Sequence, residues 1–507
     1  MNQRIRHLTV VLLMLFGVLF VSLTNWQVRQ QNALKADGRN NRTTLRQFDA
    51  PRGRILSADN VTLAETVPVD TATSPNDRFS WQRTYPTGEL FANVTGYYTF
   101  GFGSTQIEKK FDDVLAGRTP LQQLEAADDL FGRPDTTGTV HLTLRNDLQE
   151  LARELLDDRE GSAVVLDPRT GAVLAMYSNP TFDPNKVASH NGGKANDYLQ
   201  GLLADKRKPL LANAYQERYM PGSTFKIVTT TVAWETGAMN ALSTYPDERA
   251  WVPPNTKKPI RNYGKKVCGG DLAEVFRRSC NIPFAQTAVT VGPDLFLAGV
   301  NKFGFDEEIP FDLPGAANST FGGSAADFAD SLALLAIHGF GQGQVQVVPL
   351  HMALIASAVA NNGVMMRPHV VGSTRTAAGV DMFRTEPEAW KTPMSAATAA
   401  KLRELMIGVV QNGTASCCMQ LANGEVAAAK TGTAQLNAEG KPQRSHAWIT
   451  AFAPAGNDEK DEPKTPRVAV AVMLKGVNDE ISSGTGGRLA GPVAKTLLEK
   501  ALKVVPP

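Results

Sequence analysis

Two groups of strand-like runs stand at opposite ends of one long region, and that separation constrains the fold more than any other feature. Gly161–Asp167 reads as a buried strand, Pro168–Gly171 as a turn, and Ala172–Ser178 as the hairpin partner. Three more strand-like runs arrive only late: Ala427–Lys430, His446–Ala453 and Val468–Leu474. Between Leu174 and Ala427 the pattern is mostly helical, with Gly/Pro loops, and Gly491–Leu502 has the period of a helix lying on a sheet. Early strands, a long helical insertion and late strands predict an α+β fold: one antiparallel sheet flanked by helices. Gly456–Pro463, acidic and proline-containing, reads as an exposed loop between the last two strands.

The chain has 507 residues, too many for one ordinary core, so two or three domains are expected. A formal net charge of +2, with charges interspersed, gives no case for a nucleic-acid partner. Leu8–Leu23 is uncharged and apolar, preceded by Arg4, Arg6 and His7 and followed by Trp26. This pattern predicts an anchor over 8–26 with a cytoplasmic tail at 1–7 and the rest of the chain outside the cytoplasmic membrane. A cleaved signal peptide is the rival, disfavoured by the length of the run and the lack of a small-x-small site. Gln27–Arg46 reads as a polar stalk, and 27–145 as a small, strand-rich, non-catalytic domain. Within it Pro51–Leu56 enters a strand or hairpin and Phe111–Leu115 forms one short helix. Asp147–Leu156 is an amphipathic helix that opens a second domain, 146–507. The four cysteines, Cys268, Cys280, Cys417 and Cys418, lack zinc-site spacing and allow three pairings. Cys268–Cys280 is preferred because Gly269-Gly270 lets the chain fold back; four free thiols are the alternative.

Chemistry concentrates in Tyr219–Thr230. Pro221-Gly222 is a turn signal, and Phe225, Val228, Val232 and Ala233 come after it at helical spacing. Ser223 therefore sits at a helix start with Lys226 one turn later on the same face. A serine nucleophile with a lysine base is one form of the activated serine. Alone, though, the pair reads as a capping serine and a solvated lysine. Two later motifs change that balance. Arg278-Ser279-Cys280-Asn281 comes after the helical pattern Leu272, Val275, Phe276, and Lys430-Thr431-Gly432-Thr433 lies on the strand beginning at Ala427. Other S-x-N copies, at Ser74 and Ser189, lack partners in the right order and read as turns.

S-x-x-K, then S-x-N, then K-T-G is the ordered pattern of penicillin-binding proteins and serine β-lactamases. Over nearly all its length the chain resembles a class B penicillin-binding protein. Gly161–Asp183 is similar to that family's first hairpin, His446–Pro454 to the strand after K-T-G, and Arg52–Ile55 to the segment just outside the membrane. The short N-terminal domain is most similar to the actinobacterial PbpA type, which lacks a large pedestal. The resemblance implies a penicillin-binding transpeptidase domain and a peptidoglycan D,D-transpeptidase that cross-links stem peptides through an acyl-enzyme on Ser223, releasing D-alanine. Lys226 would take the serine proton, and Ser279 would relay a proton to the leaving nitrogen, linking Lys226 to Lys430. Asn281 would hold the amide side of the substrate. The Ser223 and Thr433 amides would form the oxyanion hole, while Lys430, Thr431 and Thr433 grip the terminal carboxylate. Gly432 would keep a strand edge clear for the substrate backbone. A Cys268–Cys280 bridge would fix the Ser279 loop.

No metal or cofactor is implied. The implied partners are peptidoglycan stem peptides, β-lactams as covalent inhibitors, a SEDS-type glycosyltransferase and divisome proteins, with a role in cell division. A D,D-carboxypeptidase using water as acceptor and a non-catalytic β-lactam-binding divisome scaffold are the alternatives. A β-lactamase is disfavoured by the anchor and extra domain, and a β-lactam sensor by the mere seven residues before the anchor. A second, glycosyltransferase activity is disfavoured because 27–145 is short and Glu108 lacks a partner acidic cluster.

Overall fold

The computed structural model describes residues 3–25, 42–70, 72, 75–128, 135–437 and 444–506. Trp26, most of the expected stalk, and Ser74 lie outside the described residues. Helix α1 (Gln3–Thr24) buries none of its side chains. Its 22 residues, at 1.5 Å each, reach roughly 33 Å, the thickness of a bilayer's hydrocarbon core.

The first globular part contains β1 (Ile55–Leu56), β2 (Thr62–Pro68), β3 (Trp81–Thr84), α2 (Gln106–Lys110) and β4 (Thr139–Leu142), with short helical turns between the strands. The short helix expected at Phe111–Leu115 is present and begins one residue later, at Asp112. It is separate from α2, which ends at Lys110, because Phe111 between them leaves helical geometry (φ −111°, ψ 28°). The Glu108 side chain, on α2, is fully buried. Its Oε2 accepts from Arg52 Nη2 at 3.0 Å and its Oε1 from Arg83 Nε at 2.6 Å. Burial alone would weaken the Arg52 charge, but Glu108, Tyr98 and Asp112 together outweigh it and keep the guanidinium protonated. Gly53, between the arginines of the Arg52–Ile55 motif, has a steric role of its own: a Cβ there would lie 1.8 Å from Gly138 O.

After α3 (Asn146–Leu156) come the hairpin strands β5 (Gly161–Leu166) and β6 (Val173–Asn179). A helical region succeeds them, including α4 (Lys226–Glu235), α5 (Leu272–Arg277), α6 (Ile282–Val291) and α7 (Pro349–Ala360). It is not purely helical, because β7 (Val371–Arg375) and β8 (Asp381–Arg384) form a hairpin within it. Val371–Arg375 pairs antiparallel with Leu142–Thr139 of β4. The first sheet therefore runs β8-β7-β4-β1-β2-β3 and takes two of its strands from beyond residue 146. Sequence patterning hides β7 because what it buries includes Ser373 and Thr374 rather than an alternating apolar set.

Helix α8 (Ala396–Asn412) leads to β9 (Ala428–Gln435), β10 (Ser445–Ala453) and β11 (Val468–Leu474), and α9 (Gly491–Val504) ends the fold. The early and late strands meet as expected in one antiparallel sheet, ordered β9-β10-β11-β5-β6. Every residue of β5, β10 and β11 is buried, so helices must cover both faces. The wholly buried α7 packs on these strands from one side, and α9 with α3 from the other. Residues 456–463 do form the exposed loop between β10 and β11. Strand β9 is left at the sheet's edge, and the functional motifs converge beside it.

Candidate active site

The Pro221-Gly222 signal folds as one 3-10 turn, Gly222–Phe225, that runs directly into α4. Gly222 has φ +55°, and a Cβ on it would meet Thr433 O at 2.8 Å, so glycine lets the turn close against β9. Four further bonds fix the turn. Trp448 Nε1 donates to Met220 O (3.0 Å), Gly222 N donates to Gly341 O (2.9 Å), and Tyr219 exchanges two backbone bonds with Val347 (both 2.8 Å). Phe225, Val228 and Val232 point into the core as the spacing predicts. Ser223 is left lining a cleft of about 340 Å³, together with Ser279, Asn281, Thr431 and Thr433.

Lys226 and Lys430 are fully buried. Lys226 Nζ donates to Ser279 O (2.8 Å), Cys280 O (2.6 Å) and Asn281 Oδ1 (2.9 Å), and lies 3.4 Å from Ser279 Oγ. Lys430 Nζ donates to the same Ser279 Oγ at 2.7 Å and to Thr431 O at 3.1 Å. One hydroxyl thus bridges two buried amines. Three carbonyl oxygens around Lys226 favour an ammonium, but two effects oppose it. Burial is the larger and the neighbouring Lys430 cation the smaller, and together they hold Lys226 well below the usual lysine range. Burial also brings Lys430 down, to about 7. In so dry a site both amines lose their protons more readily than an ordinary lysine.

Ser279 reaches this position through a left-handed backbone, φ +60°, unusual for a residue with a side chain. The loop is tied on both sides. Cys280 is joined to Cys268, the preferred pairing, and Cys417 to Cys418. On the other side Asn262, buried, accepts from the Asn281 and Ile282 amides at 2.8 and 3.1 Å. Asn281 itself bonds inward, its Oδ1 to Lys226 and its Nδ2 to Arg261 O (3.1 Å). One amide hydrogen remains for the cleft. Closing the loop between two cysteines 12 positions apart restricts the unfolded chain by about 3 kcal/mol. Cys268→Ala is therefore expected to lower the melting temperature by several degrees and to slow acylation by benzylpenicillin. Unchanged melting and rate would show that the bridge holds nothing.

Along β9, Thr431, Thr433 and Gln435 face the cleft by strand alternation. Thr431 Oγ1 also bonds Thr414 Oγ1 at 2.6 Å. Gly432 corrects the expectation that its missing side chain makes room for substrate. A Cβ there would meet Pro221 O at 2.7 Å and Thr224 Cγ2 and Trp448 Cβ at 3.0 Å. Its missing side chain lets the Ser223 turn dock on β9. Sequence reasoning missed Asn262, Gly341 and Gln342. The alternating glycines of Gly339-Phe340-Gly341-Gln342-Gly343 are the readable sign that backbone approaches backbone there.

With S-x-x-K, S-x-N and K-T-G thus gathered on one cleft, comparison with known proteins is informative. Residues 161–499 match the penicillin binding protein transpeptidase domain, and 52–140 match the penicillin binding protein A dimerisation domain. The peptidoglycan D,D-transpeptidase PbpA of Mycolicibacterium smegmatis is 34% identical, covering 99% of each chain. PbpA of Mycobacterium tuberculosis is also 34% identical, over 100% of both chains. The structure of penicillin-binding protein A from M. tuberculosis as a ceftriaxone acyl-enzyme superposes with a TM-score of 0.81 at 33% identity, covering 90% of this chain and all of that one. This chain belongs to the penicillin-binding protein transpeptidases, most similar within class B to the PbpA type, and is a serine-type peptidoglycan D,D-transpeptidase.

Proposed function

We propose that Ser223 is the acylated nucleophile, that Lys226 is its base, and that the bridge from Lys226 through Ser279 to Lys430 carries the proton. The observation behind this reading is the single Ser279 hydroxyl shared by two fully buried amines, on the cleft that Ser223 also lines. Neutral Lys226 accepts the Ser223 proton as Oγ bonds to the carbonyl carbon between the two terminal D-alanines. Collapse of the tetrahedral adduct breaks the C–N bond, and Ser279 passes a proton to the departing nitrogen. Free D-alanine leaves, and an amine of a neighbouring stem attacks the ester, returning the serine proton. Closure of the Gly222 turn on Thr433 makes the Ser223 and Thr433 amides neighbours, suited to binding the oxyanion, at about two orders of magnitude in rate per donor. Cationic Lys430 with Thr431 and Thr433 receives the substrate carboxylate, and Asn281 offers its remaining N–H to the amide side.

The cellular setting belongs to the same reading. Residues 8–26 anchor the chain with 1–7 in the cytoplasm, 27–145 form the small non-catalytic domain, and 146–507 carry the transpeptidase in the extracytoplasmic space. Arg4, Arg6 and His7 ahead of the apolar run Leu8–Leu23 support that orientation. β-Lactams acylate the same serine and block it, by likeness to the ceftriaxone and imipenem acyl-enzyme complexes of the M. tuberculosis protein. Cross-linking serves the wall at cell division, with a SEDS-type glycosyltransferase and divisome proteins as partners.

The test is to label the purified full-length chain with a fluorescent penicillin and map the adduct by mass spectrometry. A stable adduct on Ser223, with cross-linked dimer formed from stem pentapeptides, is the expected result. An adduct on another residue would overturn the assignment, and D-alanine release without dimer would point to a carboxypeptidase.

A further inference from the structure

The substrate edge of β9 is not open along its whole length. Leu436 N donates to Arg444 O, so alternate residues pair inward, and the backbone groups of Thr431, Thr433 and Gln435 point away from β10 toward the cleft. At Gln435 those groups are already engaged. In the amide orientation that satisfies both partners, Gln342 donates to Gln435 O and accepts from Gln435 N, each at 3.1 Å. A side-chain amide thereby imitates one residue of a neighbouring strand. The loop that carries it is fixed: Gly341 O accepts from Gly222 N, and a Cβ on Gly341 would lie 2.0 Å from Gly222 O. Gln342 is therefore held at the edge by the same loop that supports the nucleophile turn.

We infer that Gln342 is a specificity-determining residue that closes the substrate edge at Gln435 and limits the donor's backbone pairing to the alanine carrying the scissile carbonyl. This inference rests on the site assignment proposed for Ser223 and Lys430. There the departing carboxylate lies toward Lys430 and Thr431, and the carbonyl under attack lies at the Thr433 amide. The upstream part of the donor then runs toward Gln435. In an antiparallel pairing with Thr433, the next backbone pair belongs to the residue two positions upstream, opposite Gln435. Gln342 occupies that place, so the upstream stem turns off the sheet into the cleft. Donors are selected by the part of the stem beyond that turn, not by a longer strand.

The experiment compares D-alanyl thioester donors carrying zero, one or two residues ahead of the D-alanine, with the full chain as wild type, Gln342→Ala and Gln342→Ser. Benzylpenicillin, which has no peptide strand to pair beyond its side-chain amide, serves as the reference acylating agent. In the wild type, lengthening the donor from one to two upstream residues is expected to change the second-order acylation constant less than threefold. In both variants the two-residue donor should gain about tenfold relative to the shorter ones, as expected for a freed backbone pair. Benzylpenicillin should acylate all three proteins within about threefold, a comparison that separates selectivity from disturbance of the site. A long-to-short ratio equal to that of the wild type in both variants would overturn the inference, and so would a uniform fall with every donor. Failure of the wild type to be acylated at Ser223 by any of these reagents would strike the site assignment itself.

Discussion

Lys226→Met is expected to lower the second-order constant for acylation by benzylpenicillin about 10²- to 10⁴-fold, the range for a lost general base. Methionine fills a similar volume without an ionisable group, so the loss reports proton transfer rather than collapse of the pocket. The substitution also removes the donor shared by Ser279 O, Cys280 O and Asn281 Oδ1. Some slackening of the Ser279 loop will accompany it, and a stable melting curve is the control. The wild-type pH profile gives an independent readout. Acylation rises as Lys226 loses its proton, which burial and Lys430 bring well below the ordinary lysine range. It falls again as Lys430, brought to about 7 by burial, stops attracting the carboxylate. The second-order constant should therefore trace a bell-shaped profile, its descending limb near neutrality. Lys430→Ala should weaken carboxylate-bearing reagents and remove that limb. Stability carries the same signature. Above about pH 7 the folded chain holds Lys430 neutral while the unfolded chain still binds its proton, so stability rises with pH toward the ordinary lysine value. A pH-independent acylation rate between 5 and 9, or a Lys226→Met variant within threefold of wild type, would remove lysine from the chemistry.

Residues that must have one chemistry at one place were legible in the sequence; residues that support them were mostly not. Ser223, Lys226, Ser279 and Lys430 stood out because their order along the chain is improbable by chance, and the fold brings them to one cleft. The central sheet was legible because β5, β10 and β11 are buried on both faces and read as largely apolar runs, interrupted only by Ser162, Ser445, His446 and Thr450. By contrast β7 buries serine and threonine against β4, and no hydrophobic period marks it. Gly432 was singled out, but for the wrong reason. Sequence alone could not tell that the close neighbour is the Pro221 carbonyl rather than substrate. Asn262 and Gln342 act through bonds to backbone in distant segments, and such bonds leave no local pattern.

Glu108→Ala is the second large effect, and it falls far from the chemistry. Glu108 has no exposed surface and faces two guanidinium groups whose side chains are 2% exposed. Removing the carboxylate leaves two buried cations facing each other, at a cost of about 3–5 kcal/mol. The two arginines are not equally affected. Arg52 keeps Asp112 at 2.6 Å and the Tyr98 ring at 3.9 Å, whereas Arg83 retains only neutral acceptors such as Gly53 O (2.8 Å). Changing Arg83→Met in the Glu108→Ala background should therefore recover more stability than changing Arg52→Met. The consequence for the transpeptidase depends on the shared sheet. Strands β7 and β8 belong to the chain between α7 and α8, and α8 packs against β9, which carries Lys430. Loosening β1–β4 thus removes the partner of a hairpin embedded in the catalytic part. Glu108→Ala is expected to lower one common melting transition, read both by calorimetry and by loss of benzylpenicillin acylation, with the rate at low temperature unchanged. If calorimetry instead resolved two transitions, with acylation competence lost only at the wild-type temperature, the sheet would not couple the parts. The cluster's contribution would then be local to β1–β4.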